Sequence, residues 1–226
     1  TFDDLDTRGG PPIVKPAARW VDAFIGTDSR KKYRVNLGNF FWNNEEGGFN
    51  RGHNLNLTLQ PRPAVQSTVG VNYTRGLDSA QWIENIDVTG DGVDDHIYGT
   101  LKRNVISITA RTTYAFTRDM TLEGYLQPFV AAGDYRNIRR FSRAKTYEFD
   151  PAIYEENPDF NDKSLRSNVV FRWEYRRGST LYLVWNVSNS DDSRPGEFSA
   201  FRDLRSGFGA GGTQVFMVKF NYWLGL

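Results

Sequence analysis

The sequence contains no cysteine, so disulfide bonds, thiol catalysis and thiolate metal sites are excluded. The absence suits an oxidising envelope compartment without requiring one. Long apolar runs are also missing: the mean hydropathy is −0.56, and no segment approaches the roughly 20 apolar residues of a transmembrane helix. A helical membrane protein is therefore excluded. A transmembrane β-barrel is not, because only alternate residues of its strands face lipid.

No charge of one sign dominates the chain. Its 226 residues carry 28 Lys and Arg against 27 Asp and Glu, a net charge of +1. Neither nucleic acid nor another strongly charged partner is indicated. An aromatic content of 15% with 21 glycines and no low-complexity tract is typical of a folded β domain, and the length does not force a second domain.

Alternation of apolar and polar residues, the period of a β-strand, recurs along the chain, and no helical period competes with it. Residues 53–60 show it most clearly. The apolar set, predicted to share one face of a sheet, comprises Leu55, Leu57, Leu59, Val169, Phe171, Trp173, Leu181, Leu183, Phe216, Val218 and Phe220. The polar set, predicted to occupy the opposite face, comprises Asn54, Asn56, Arg111, Glu123, Arg172, Glu174 and Asn186.

The predicted connections alternate in length. Short turns at 28–32, 61–63, 117–119 and 176–179 are separated by long polar loops at 43–52, 76–95, 131–164 and 189–213. Outer-membrane barrels have short periplasmic turns and long extracellular loops, and a hydrated lumen accepts polar side chains that a soluble core would reject. The sequence therefore predicts an antiparallel transmembrane β-barrel domain over residues 1–226, with about nine strands in this chain. Its apolar face would contact outer-membrane lipid, and residues 1–17 would form an extracellular loop.

The end of the chain resembles the last strand of bacterial outer-membrane barrels, an amphipathic aromatic segment that the barrel-insertion machinery reads. Such strands normally end in an aromatic residue, where this chain has Leu226. Nine strands is an odd number, and an open sheet would leave unpaired backbone groups in hydrocarbon. We therefore expect further strands before Thr1, or a partner chain, to pair with the strand predicted at 19–27.

Five segments carry a resemblance to a known family, and the Trp-Glu-Tyr-Arg block at 173–176 is the most specific. The segments are residues 5–12, 125–129, 157–161, 172–180 and 216–226. They are similar to the C-terminal β-barrel domain, of unassigned function, of large Gram-negative envelope proteins whose N-terminal domain resembles family-nine carbohydrate-binding modules. The resemblance implies a bacterial outer-membrane location and a passage, binding or scaffolding role linked to carbohydrate. It supplies no catalytic residue.

Two groups of side chains are candidates for roles in such a barrel. The first is a lumen charge network on the polar face, made of Arg34, Arg111, Glu123, Arg172, Glu174 and Lys219. The second is a membrane girdle, since aromatic residues near strand ends favour the lipid interface. Its members are Trp42, Tyr73, Trp173, Tyr175 and Tyr222.

The same polar face carries the main alternative. Glu123 and Glu174 are predicted on neighbouring strands, and a pair of carboxylates can hydrolyse glycosides. Arg111 and Arg172 nearby favour ionised, paired carboxylates over a general acid with a raised pKa. We therefore predict no enzymatic activity, and a soluble carbohydrate-active β-protein using Glu123 and Glu174 is the alternative.

A single motif resembles a metal site. Asp87, Thr89, Asp91 and Asp95 stand at positions one, three, five and nine of a calcium loop, with Gly92 at the sharp turn. Position three is Thr rather than Asp or Asn, and position twelve is an aromatic residue where a bidentate Glu belongs. A solvated acidic turn is therefore the favoured interpretation, and loop 87–95 is a candidate calcium site. No other cofactor is predicted.

Overall fold

A long antiparallel β-sheet makes up most of the chain. The computed structural model describes residues 2–224, and within that range it has twelve strands and one helix. Strands β1 (Phe2–Asp3) and β2 (Ile13–Val14) pair as a small hairpin, and the helix is α1 (Ala200–Gly209). The main sheet contains β3 (Ala18–Gly26), β4 (Tyr33–Asn44), β5 (Phe49–Arg62), β6 (Val65–Ile86), β7 (Asp95–Ala115), β8 (Met120–Phe141), β9 (Phe149–Pro151), β10 (Phe160–Arg176), β11 (Ser179–Asp191) and β12 (Gly212–Asn221).

Strands that follow one another in sequence lie side by side in the main sheet. The order is β3-β4-β5-β6-β7-β8-β10-β11-β12, every pairing is antiparallel, and the short β9 pairs with β8 off this path. The prediction of an all-β antiparallel fold with about nine strands is confirmed for residues 2–224. The last strand ends at Asn221, and its predicted end at Leu226 lies outside the described residues.

The register confirms the predicted division of side chains between two faces. Residues directly opposite each other in an antiparallel pair point to the same face. Leu57 lies opposite Val35 on β4 and Val69 on β6, and Phe171 lies opposite Leu183 on β11. The registers of β6 with β7, β7 with β8 and β8 with β10 show that these apolar side chains lie on one continuous face of the sheet. We call it the apolar face; the opposite one, which holds the whole predicted polar set, is the polar face.

The two ends of the sheet differ in their connections as predicted, except that the link 45–48 is shorter than the link 27–32. One end, the short-turn end, carries the links 27–32, 63–64, 116–119 and 177–178. The other, the long-loop end, carries 45–48, 87–94, 142–159 and 192–211. The predicted lengths of the long loops were wrong, because β6 continues to Ile86 and β8 to Phe141. These extensions place polar residues on both faces of the sheet. The alternation of apolar and polar residues therefore disappears from the sequence, although the backbone hydrogen bonds between the strands continue.

Two small elements pack at the long-loop end. The β1–β2 hairpin, within the segment predicted as a loop at 1–17, inserts Ile13 against Tyr98 and Phe141, which are 1%, 0% and 8% exposed. Helix α1 covers the opposite, apolar side, where Asn189 donates to the Gly207 carbonyl at 3.4 Å. No helix was predicted from the sequence. A segment of ten residues within a polar, glycine-containing loop is too short to show a clear helical repeat of apolar residues.

The main sheet is open within residues 2–224. Strands β3 and β12 each have one neighbour, they do not pair with each other, and every residue in both is exposed. No closed barrel is found in this part of the chain. None of the described residues form a helix long and apolar enough to cross a membrane.

Candidate functional site

The polar face presents amides and small residues at its centre. Asn56 donates to Asn54 at 2.6 Å, and Asn54 in turn donates to Asn72 on the next strand. The positions opposite Asn56 and Asn54 include Gly70 and Gly38, which add no side chain to this surface. Carboxamides satisfy only part of their hydrogen-bonding capacity in such ladders, and water completes the rest. This face is an accessible polar surface rather than a packed core.

The structure places the six residues of the predicted charge network on the polar face, but most are not paired with one another. Glu174 accepts from Arg172 at 3.2 Å and from the Gly178 N–H at 3.1 Å. Arg111 lies over the Tyr125 ring, 5.1 Å from its centroid. Arg34 donates to the Ser29 carbonyl at 2.9 Å, and Lys219 lies 5.9 Å from the centroid of the Tyr182 ring. Aromatic rings or a backbone carbonyl therefore hold the three cations other than Arg172.

Glu123 differs from expectation, because it forms no ion pair within 4.0 Å among residues 2–224. It lies opposite Val170, four positions along β10 from Glu174. Four positions correspond to about 13 Å along a strand. The two carboxyl groups of glycosidases stand about 5–9.5 Å apart, and Glu174 is already held by Arg172. The arrangement does not favour a catalytic carboxylate pair.

The predicted girdle residues fall into separate places. At the short-turn end Trp173 packs against Tyr175, which stacks on Phe220 at 5.3 Å between ring centroids. Tyr222 accepts from Arg176 at 2.5 Å close by. Tyr73 lies on the apolar face toward the long-loop end, with ring centroids 6.2 Å from Phe198. Trp42 lies on the polar face, directly opposite Trp20, so it does not share the apolar face of Tyr73 and Trp173.

Loop 87–94 uses its carboxylates to hold its own backbone. Asp87 accepts from the N–H groups of Gly90 at 2.6 Å and Gly92 at 2.8 Å, and from that of Asp91 at 3.3 Å. The Gly92 N–H in particular holds the pKa of Asp87 below its usual range. Asp95 accepts from the Val88 N–H at 3.2 Å and from Arg140 at 3.2 Å. No group of three or more acidic or histidine side chains is placed for a metal among residues 2–224, and calcium binding stays a prediction.

A cavity of about 420 Å³ opens between the β1–β2 hairpin and the polar face at the long-loop end. We call it the vestibule cavity. Trp42 and Tyr147 line it together with Asp78 and Gln81. Asp78 faces Arg103 at 3.7 Å, and burial raises the pKa of its carboxyl against the opposing effect of that guanidinium. This site could not be predicted from the sequence, because Asp78, Gln81 and Tyr147 lie in segments predicted as loops.

A second group missed by the sequence ties the loop before α1 to the sheet. Lys163, whose side chain is 2% exposed, lies 3.3 Å from the Asp191 carboxylate and donates to the Ser193 carbonyl at 2.5 Å. The Ser193 N–H and hydroxyl, together with Lys163, lower the pKa of Asp191 to about 2. Nearby, Asn161 donates to the Glu197 carbonyl at 2.7 Å. We call Lys163, Asp191 and Ser193 the loop clasp.

These features define a two-faced antiparallel sheet with one polar face and one apolar face. A family model described as a domain of unknown function, DUF5916, matches residues 6–226, and the chain belongs to that family. No curated protein and no solved structure matches the chain. The expectation of a domain of unassigned function is confirmed. The association with a sugar-binding-like domain and the Gram-negative origin stay predictions.

Proposed function

We propose that the main sheet forms part of the wall of a transmembrane β-barrel in the bacterial outer membrane. Its polar face lines a water-filled interior that passes or binds polar solutes. The observation that carries this proposal is the apolar face, which continues across the main sheet and lacks a covering layer toward the short-turn end within residues 2–224. Soluble monomers rarely expose an apolar surface of this extent.

Exposure values support a lipid contact for the apolar face. Trp185 and Leu37, on strands that are paired on both sides, are 47% and 42% exposed. On β12, Phe216 and Phe220 are 66% and 63% exposed. Burying such side chains in an apolar medium is worth about 1.5–3 kcal/mol each. Lipid would cover the whole band at once.

The height of the apolar band also fits a bilayer. On β7 and the turn after it, the band runs from Ile106 to Phe116. About 11 residues at roughly 3.3 Å each span about 35 Å, and a tilt of about 40° reduces this to about 25 Å, the height of an outer-membrane barrel's apolar belt. The polar extensions of β6 to β8 would then project beyond the membrane at the long-loop end.

The proposal requires a partner for each open edge. Unpaired backbone groups in hydrocarbon cost several kcal/mol each, so β3 and β12 cannot face lipid with their edges free. Further strands, from the same polypeptide or from a partner chain, would pair with them. Strand β12 would be the segment that the barrel-insertion machinery recognises.

Fractionation of cells producing the full-length protein tests this proposal. We expect the protein in the outer membrane, resistant to extraction with carbonate and released only by detergent. Recovery in the soluble fraction without detergent would contradict the proposal. Hydrolysis of a glycoside by that soluble protein, lost in Glu123→Gln, would instead establish the alternative, a soluble carbohydrate-active protein using Glu123 and Glu174.

A further inference from the structure

The vestibule cavity has the size and the walls of a small-molecule site. Its volume of about 420 Å³ lies within the roughly 300–1,000 Å³ of typical ligand pockets. Trp42 forms part of one wall, and the Tyr147 hydroxyl is hydrogen-bonded to the Ser79 hydroxyl at 2.9 Å. That bond fixes Tyr147 at the rim of the cavity. Two large rings and several polar groups therefore surround one space.

Several polar groups that line this space have unused hydrogen-bonding capacity. Among residues 2–224, the Asp78 carboxylate accepts no hydrogen bond, and its ion pair with Arg103 is long at 3.7 Å. The Trp42 indole N–H and the Gln81 amide oxygen also have no partner in this part of the chain. A partly buried carboxylate without a donor is costly unless water or a ligand supplies one. The cavity thus offers acceptors and a donor to a ligand.

Each carboxylate that lines the cavity lies beside a cation, and this pairing bears on the ligand class. Lys15 is paired with Asp6 on the hairpin, and Arg103 stands beside Asp78 on the sheet. A site for an organic cation would need uncompensated negative charge next to its aromatic rings. The paired charges leave a neutral space lined by rings and hydrogen-bonding groups, which suits an uncharged ligand with many hydroxyl groups.

An aromatic row continues from the cavity along the polar face. Trp20 lies directly opposite Trp42, and Phe40 and Phe24 follow on the same face of β3 and β4 toward the short-turn end. Successive residues on one face of a strand are about 7 Å apart. Trp20 and Phe24 are 65% and 76% exposed, so their ring faces are open to a ligand. We call Trp20, Trp42, Phe40 and Phe24 the aromatic row.

The geometry points to a binding site for neutral oligosaccharides, with one sugar ring stacked on Trp42 in the vestibule cavity and following rings along the aromatic row. The apolar faces of pyranose rings stack on indole and phenyl rings, while their hydroxyl groups donate to Asp78 and Gln81 and accept from the Trp42 N–H. The cavity site stands on its own contacts. The extension along the row rests on the proposed function, which makes the polar face a water-filled lumen.

Calorimetry on the detergent-solubilised full-length protein tests the site. The probes are maltohexaose, cellohexaose and mannohexaose, their disaccharides, and tetraethylammonium as an organic cation. We expect at least one hexasaccharide to bind. Trp42→Ala should weaken this binding by tenfold or more and Trp42→Tyr by much less, because the ring is retained. Asp78→Asn should weaken it roughly ten- to a hundredfold, the value of a hydrogen bond to a charged group.

Two further variants distinguish binding along the aromatic row from binding in the vestibule cavity, and both from nonspecific effects of removing a tryptophan. Trp20→Ala should weaken the hexasaccharide and leave the disaccharide within about twofold, if the row extends the site. Trp185→Ala removes an exposed tryptophan from the apolar face and should leave every affinity unchanged. Equal losses in Trp42→Ala and Trp185→Ala would overturn the assignment to the cavity.

Three other results would also overturn the inference. They are the absence of binding by any neutral saccharide at millimolar concentration, saccharide binding that survives Trp42→Ala, and tetraethylammonium binding that Asp78→Asn abolishes. Because the assay needs no bilayer, its failure would leave the outer-membrane proposal standing. Saccharide binding by a protein that proves soluble would support the cavity site and contradict only the outer-membrane proposal.

Discussion

An arginine introduced at position 110 tests which face of β7 contacts lipid. Ala110 lies near the middle of the apolar band, opposite Val69 on β6 and Leu126 on β8. Arginine on the lipid side of a barrel costs about 2–4 kcal/mol at the bilayer midplane. Thr109→Arg is the matched control, because Thr109 lies on the polar face beside the native Arg111.

We expect Ala110→Arg to lower the free energy of unfolding by about 2–4 kcal/mol and Thr109→Arg to change it by about 0–1 kcal/mol. The difference of about 1–4 kcal/mol corresponds to roughly a 5- to 1,000-fold change in the unfolding equilibrium constant. Guanidinium titration of protein folded into lipid vesicles, followed by tryptophan fluorescence, measures both values. Equal costs for the two variants, or a larger cost for Thr109→Arg, would refute the assignment of the faces.

Three further predictions concern the long-loop end. The pKa of Asp191 is lowered to about 2, so its stabilisation of the loop clasp is present above about pH 4 and lost as the pH falls toward 2. Proteolysis of the loop 192–199 should therefore rise over that window in the wild type but remain pH-independent in Asp191→Asn. Ile13→Ala should weaken hairpin docking by about 2–5 kcal/mol, measured as faster cleavage within residues 2–17; unchanged cleavage would contradict the packing. Asp87→Ala should accelerate amide exchange at 90–92 whether or not millimolar calcium is present, whereas slower exchange on adding calcium to the wild type would support the calcium site.

The two faces of the sheet could be predicted because burial and exposure follow a strict period of two. Leu55, Leu57 and Leu59 alternate with amides, and one register shift would exchange the faces entirely. The pairing order followed from the turns, since strands joined by short links become antiparallel neighbours. The charge pairing was less predictable. Glu123 and Arg111 share a face, but Arg111 packs on Tyr125, and sequence does not show which contact a long side chain makes.

The long-loop end could not be predicted, because its order comes from contacts between distant segments. The vestibule cavity joins Lys15, Trp42, Asp78 and Tyr147, which have no common motif. The burial of Lys163 could not be predicted for a different reason. A buried lysine requires a counter-ion and carbonyl acceptors, and its partners Asp191 and Ser193 lie in a loop whose fold the sequence does not specify.

Paired cysteine substitutions test the membrane wall most directly. Residues 1–226 contain no cysteine, so Val71→Cys and Asn72→Cys each place a single label in this chain, on adjacent residues of opposite faces. With the full-length protein in vesicles, we predict that nitroxide-bearing lipids quench a fluorophore at position 71 and that aqueous iodide quenches one at position 72. Iodide quenching at both positions without lipid quenching at either, or the reverse pattern, would contradict a sheet with its apolar face in lipid.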